Sequence, residues 1–264
     1  MPKLLRQIVL FGAPILVGTI NLAHPVVSAY PTVYHALLHQ GGWWLALHFL
    51  NLAAFPLLGL AAYLLTADWR GLAVTVSRGA IAAFIPLYAA FDAMVGLGTG
   101  TLVQSARSLP APQLAVVEPI IQAYWASDTA NALATLGSVA WGIGLLAAAV
   151  AITPAGRRLA VTALAVAGFA LVGWGVATGS SGTLLWWGAV GVVAVAVLAL
   201  NRWRPAAALL ALAAMLFGTT HVIPYGPLGA ACFLAAALWL QLSRRSVADA
   251  EEQGVAQAGA ASSS

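Results

Sequence analysis

The stretch that most limits what this chain can fold into is IAAFIPLYAAFDAMVGLGTGTLV, Ile81 to Val103, because it is long and apolar enough to cross a bilayer. A spanning helix needs about 20 apolar residues at roughly 1.5 Å per residue, which puts Asp92 near the membrane midplane. A carboxyl group at that depth costs at least a few kcal/mol, at roughly 2.5–3.5 on insertion scales, so its presence requires a reason. Helical spacing places Phe84, Tyr88, Asp92, Gly96 and Thr99 on one stripe. Gly96 and Gly100 form a GxxxG pair, which allows another helix or a ligand to approach the backbone closely.

Composition agrees with a membrane protein: 62% of residues are hydrophobic, 7% are charged and the mean hydropathy is +0.93. These values exclude an ordinary soluble domain. The net charge of +4 does not indicate nucleic acid, because the basic residues stand singly or in pairs between apolar runs. Cys232 is the one cysteine and forms no internal disulfide; its expected role is packing.

Eight spans are expected, at Ile8–Val26, Trp43–Leu65, Ile81–Val103, Thr129–Ile152, Leu159–Ala177, Thr183–Leu200, Pro205–Thr220 and Leu228–Leu242. Ten of the 11 lysines and arginines then alternate onto one side: Lys3, Arg6, Arg70, Arg78, Arg157, Arg158, Arg202, Arg204, Arg244 and Arg245, with Arg107 opposite. The positive-inside rule makes that side cytoplasmic and places both termini there. The count falls to seven if the first segment is a signal peptide cut near Val27-Ser28-Ala29, but Asn21, His24 and Pro25 suit a cleaved segment poorly. Residues 1–245 are therefore expected as a transmembrane bundle. The acidic, then Ala/Ser/Gly-rich stretch 246–264 is expected as a disordered cytoplasmic tail.

In this topology His24, His35, His39, His48 and His221 all fall in the outer half. Polar stripes accompany them: Asn21 and His24 on the first span; Trp44, His48, Asn51 and Phe55 on the second; Asn131, Thr135, Ser138 and Gly142 on the fourth. Polar groups in a membrane must face protein or water, so an outward-opening cavity floored by Asp92 is expected. Glu118 and Pro119 are expected to begin a short helix or lid in the outer connection, with Glu118 and Asp128 near the mouth. Each group also has a purely structural role open to it. Asp92, His48 and Asn51 would serve as interhelical hydrogen bonders, and His35 and His39 as solvated loop residues. Trp43, Trp44, Trp174, Trp186 and Trp187 would form an interfacial belt, which mid-membrane Trp141 fits poorly.

Apolar surroundings favour the uncharged form of a carboxyl group, and no Lys or Arg lies at the depth of Asp92, so it is expected to keep its proton. A protonated acid among aromatic rings suits protonation of an alkene or epoxide, with ring faces steadying the developing cation. The chain carries no DDxxD run, HExxH, GxSxG or CxxC, and no lysine in its last spans. Two alternatives stay open. His24, His48 and His221 are candidate ligands for a haem or metal, and Asp92 is a candidate proton relay in a carrier of a small hydrophobic solute.

LHFLNLAAFPLLGLAAYLL, SRGAIAAFIPLYAAFDAMVGLGTGTLV and HVIPYGPLGAACFLAAALWLQ together resemble a group of small polytopic bacterial membrane proteins, much of which has no assigned function. In size, helix count and membrane acids the chain more weakly resembles bacterial membrane-bound terpene cyclases of meroterpenoid and indole-terpenoid pathways. That likeness implies a membrane-embedded cyclase or isomerase for a prenylated substrate, though no diagnostic motif carries over residue by residue. The expected catalytic groups are Asp92, Glu118 and Asp128, and the expected substrate-binding groups are Tyr88, His48, Asn51, Phe55 and Trp141. No cofactor is expected for this chemistry. The expected partners are a lipophilic small molecule and the lipid bilayer.

Overall fold

The computed structural model describes residues 1–160, 162–163 and 205–262, with side chains up to Ser243. Among the described residues the protein is all-helical. Its helices are α1 (Lys3–Leu22), α2 (Val33–Leu37), α3 (Gly41–Leu65), α4 (Leu72–Phe91), α5 (Thr99–Ala106), α6 (Ala111–Trp125), α7 (Asp128–Ile152), α8 (Pro205–Thr219) and α9 (Tyr225–Ser262). A π-helical turn, Asp92–Gly98, joins α4 to α5, so the two form one rod, Leu72–Ala106.

Five helical segments are long and apolar enough to cross a membrane: Lys3–Ala29, Gly41–Leu65, Leu72–Ala106, Ala111–Ile152 and Tyr225–Ser243. They match the expected first, second, third, fourth and eighth spans. The expected seventh is α8, 15 residues long, or about 22 Å at roughly 1.5 Å per residue. It is apolar and buried along almost its whole length. An expected count of about eight accords with this arrangement. Apart from the first residues of the former, the spans expected at Leu159–Ala177 and Thr183–Leu200 lie outside the described residues, as do Trp174, Trp186 and Trp187.

The helices close into a ring. α1 packs on α3, α3 on α4, α4 on α7, α7 on α8, α8 on α9, and α9 returns to α1. Glycines set the tightest of these contacts. A Cβ on Gly137 of α7 would sit 2.8 Å from the Tyr88 ring, and one on Gly144 would sit 2.6 Å from Ile81, both on α4. Small residues seven apart on a helix share a face, which is how membrane helices approach closely. Phe55, Phe84, Trp141, Phe217 and Phe233 fill the middle of the ring and are fully buried. Their rings meet tilted or edge-on, as aromatic quadrupoles prefer, with Phe84–Trp141 centroids 5.0 Å apart and Trp141–Phe217 5.2 Å.

The two ends of the ring differ. At one end Arg6 pairs with Asp68 at 2.7 Å, and Arg78 donates to the Thr66 carbonyl at 2.7 Å. At the other, α2 and α6 cover the helix ends through Val33, Tyr34, Leu37, Trp44, Val103, Ala106 and Ile121.

Four expectations change. The third span begins at Leu72, which places Arg78 on a helix and not in a connection. The lid helix begins at Ala111, seven residues before Glu118. Pro110 precedes it and Pro112 sits in its first turn, where a missing N–H costs nothing. Asn131 and Thr135 point outward, because Gly137, Trp141 and Gly144 make the inner face of α7. The stretch expected as a disordered tail continues α9 to Ser262, in keeping with its Ala, Glu and Gln content.

Candidate functional site

Asp92 sits at the start of the π turn, fully buried, and it is not alone. His48 of α3 meets it, Nδ1 to Oδ1, at 2.7 Å, with the His48 side chain 3% exposed. The basic partner that the sequence lacks at this depth in Lys or Arg form is therefore an imidazole. π turns are rare and recur at functional positions. This one presents Gly96, whose missing side chain leaves room for the His48 ring; a Cβ there would collide with His48 Cγ and Nδ1. The Gly96 carbonyl accepts the Trp44 indole N–H at 2.6 Å, and the Trp44 ring lies 4.3 Å from the His48 ring. Trp44 is thus a buried clamp on His48, one helical turn away on the same face of α3, and not a belt residue. Trp43 is half exposed and donates its indole N–H to the Ala23 carbonyl at 2.9 Å.

Three further histidine contacts close the cluster. His24 Nδ1 lies 2.8 Å from the Pro25 carbonyl, His24 Nε2 is 3.3 Å from His221 Nε2, and His221 Nδ1 is 3.1 Å from the Tyr88 hydroxyl. The His24 ring stands edge-on to His48 at 5.2 Å and to His221 at 4.9 Å. His221 reaches this place from the turn after α8, where Gly226 folds against the His221 carbonyl too closely for any side chain. Asn21 and Asn51 pair with each other at 3.4 Å. Phe55 packs edge-on to Tyr88 at 4.9 Å, and the Trp141 indole donates to the Ala213 carbonyl at 3.2 Å.

The structure thus brings Asp92, His48, Tyr88, Asn51 and Phe55 together with His24 and His221, and Trp141 lies one aromatic layer beyond. It does not bring in the other two expected acids. Glu118 lies on α6, where it accepts from Thr32 Oγ1 at 2.6 Å and pairs with His35 at 3.0 Å, holding α2 to α6. Asp128 is exposed in the first turn of α7, where a negative charge suits the helix dipole. Several of the polar groups expected to line an open cavity bond to one another, as Asp92–His48, Asn21–Asn51 and Tyr88–His221–His24. Among the described residues, no group of three His, Cys, Asp or Glu side chains is arranged to hold a metal ion. His24, His48 and His221 do converge, and His24 and His221 meet nitrogen to nitrogen at 3.3 Å.

Buried polar atoms are almost always satisfied, and three of the six exceptions among the described residues lie on the dyad or its stripe, the others being Arg6 Nε, Ser77 Oγ and Arg78 Nε. His48 Nε2, Asp92 Oδ2 and Thr99 Oγ1 are buried without a hydrogen-bond partner. A histidine held through Nδ1 by a carboxyl group, with Nε2 free, is arranged for acid–base work.

Fold and site together define a polytopic all-α membrane protein with a buried histidine–aspartate pair. No family model, curated protein or solved structure matches the chain.

Proposed function

We propose that this protein is a membrane-embedded acid–base enzyme, a cyclase or isomerase that protonates a prenylated, lipophilic substrate. The observation that carries the reading is the 2.7 Å contact between Asp92 and His48, with His48 Nε2 buried and unpartnered. In the resting pair the Asp92 hydroxyl donates to His48 Nδ1, and His48 Nε2 bears a hydrogen. His48 passes that proton to a substrate double bond while the Asp92 proton moves to Nδ1. The substrate gains one positive charge and Asp92 one negative charge. Loss of a proton from the cation forms the product, and return of a proton to the pair restores the resting state. Phe55, Phe91 and Phe217 around Tyr88 offer ring faces to the cation. Asp92 is then the source of the proton and His48 the group that touches substrate.

His48→Gln tests this directly. Glutamine keeps a hydrogen-bonding side chain but cannot pass a proton, so turnover of a prenylated substrate by folded protein falls by about 10²-fold or more. Wild-type turnover in that variant refutes the assignment. A second reading, a proton-coupled carrier, draws on the row of titratable groups from Tyr88 to His24, and pH-dependent solute uptake into proteoliposomes distinguishes it.

The basic pairs at the Arg6–Asp68 end support a cytoplasmic placement of both termini in the cell membrane. A reporter fused after Ser246 then reads cytoplasmic, and one inserted at Ser108, between α5 and α6, reads outer. The same compartment for both overturns this topology.

A further inference from the structure

The three hydrogen bonds that run from Tyr88 through His221 and His24 to the Pro25 carbonyl have a direction, and that carbonyl sets it. The Pro25 carbonyl only accepts, so His24 Nδ1, at 2.8 Å, must carry the hydrogen. A neutral His24 then has a bare Nε2, and His221 Nε2 must be the donor across the 3.3 Å contact. That leaves His221 Nδ1 bare, and the Tyr88 hydroxyl donates to it at 3.1 Å. The two histidines are therefore locked in opposite tautomers, and every hydrogen in the row points from the bundle core toward Pro25. Tyr88, His24 and His221 are all buried, which shields the row from competing solvent.

We infer that Tyr88, His221 and His24 form a proton conduit between the Asp92 stripe and the α2–α6 end of the bundle. Tyr88 lies one helical turn from Asp92 on the same face, which puts the inner end of the row on the stripe that carries Asp92. Passage shifts one hydrogen at each link. Tyr88 gives its own proton to His221 Nδ1, His221 gives its Nε2 hydrogen to His24 Nε2, and His24 releases its Nδ1 hydrogen to a water molecule reaching the Pro25 end, because the carbonyl itself only holds the hydrogen bond. One proton enters and one leaves with no change of charge along the row, and both histidines end in the opposite tautomers, which the reverse passage restores. The reverse passage brings a proton inward. This inference stands on the hydrogen-bond geometry and does not depend on the substrate class proposed above.

The test is NMR on the whole protein in detergent, with ¹⁵N-labelled histidine and tyrosine labelled with ¹³C at Cζ. The expected result is His24 protonated at Nδ1 and His221 at Nε2, with the other nitrogen of each ring bare. The same tautomer in both residues overturns the inference, and this measurement needs no variant. Transfer is read from the rate at which the Tyr88 hydroxyl exchanges in D₂O, seen as an isotope shift at Cζ. His24→Gln and His221→Gln retain hydrogen-bonding groups but cannot relay, so each is expected to slow that exchange by at least about tenfold. Unchanged exchange in a folded variant leaves the row a structural network and also overturns the inference.

Discussion

Replacing Asp92 by asparagine lowers turnover of a prenylated substrate by about 10²-fold or more while leaving the protein folded. Asparagine matches aspartic acid in size, and its amide still offers a hydrogen bond to His48 Nδ1 across the 2.7 Å contact. What disappears is a proton that can be handed on. The distinction matters because Asp92 is fully buried. A variant that removed the hydrogen bond as well would leave a buried imidazole nitrogen unsatisfied, at a cost of about 1–3 kcal/mol. Detergent gel filtration establishes that the variant is folded, and product formation is then measured beside wild type. Wild-type turnover in the folded variant makes Asp92 a structural residue and removes the proposed mechanism.

Gly96→Val is expected to separate His48 from Asp92. The new Cβ would occupy the space of His48 Cγ and Nδ1. The ring has nowhere to retreat, because Trp44 lies 4.3 Å away on one side and His24 stands 5.2 Å away on another. Overpacking of this kind costs about 1–3 kcal/mol, which lowers the thermal unfolding midpoint in detergent, and loss of the dyad lowers turnover in the same variant. Gly12→Ala is the control, since nothing lies within 4 Å of a Cβ there. Equal tolerance at the two positions would show that the π turn does not set the place of His48.

Much of this arrangement is legible in the chain because membranes impose simple rules. Hydrocarbon satisfies no backbone polar group, so a long apolar run must be helical. The stripe Phe84, Tyr88, Asp92, Gly96 and Thr99 follows from helical spacing, and Phe84, Tyr88, Asp92, Gly96 and Thr99 are all buried as a stripe facing protein must be. His48 and Asn51 are legible as interhelical bonders for the same reason. Trp44 was open to two places, a belt, where tryptophans near span ends commonly sit, and the His48 stripe of α3, and its burial beside His48 selects the stripe. The misplaced residues share a cause. Glu118 and Asp128 were placed near the mouth because they are acids in the outer connection, and proximity in a connection does not decide which way a side chain turns.

By itself the sequence determined the all-helical membrane class and the helix face that Asp92 shares, since these depend only on hydropathy and on the pitch of a helix. Tertiary structure alone decided the partners. Which imidazole meets Asp92, and that His221 reaches across to His24, depend on how six helices close into a ring, over separations of 44 residues for His48–Asp92 and 197 for His24–His221. Helical pitch says which residues share a face but not which helix that face will meet. That choice is made by close packing, at Gly96, Gly137 and Gly144, where the absence of a side chain lets one helix reach the next.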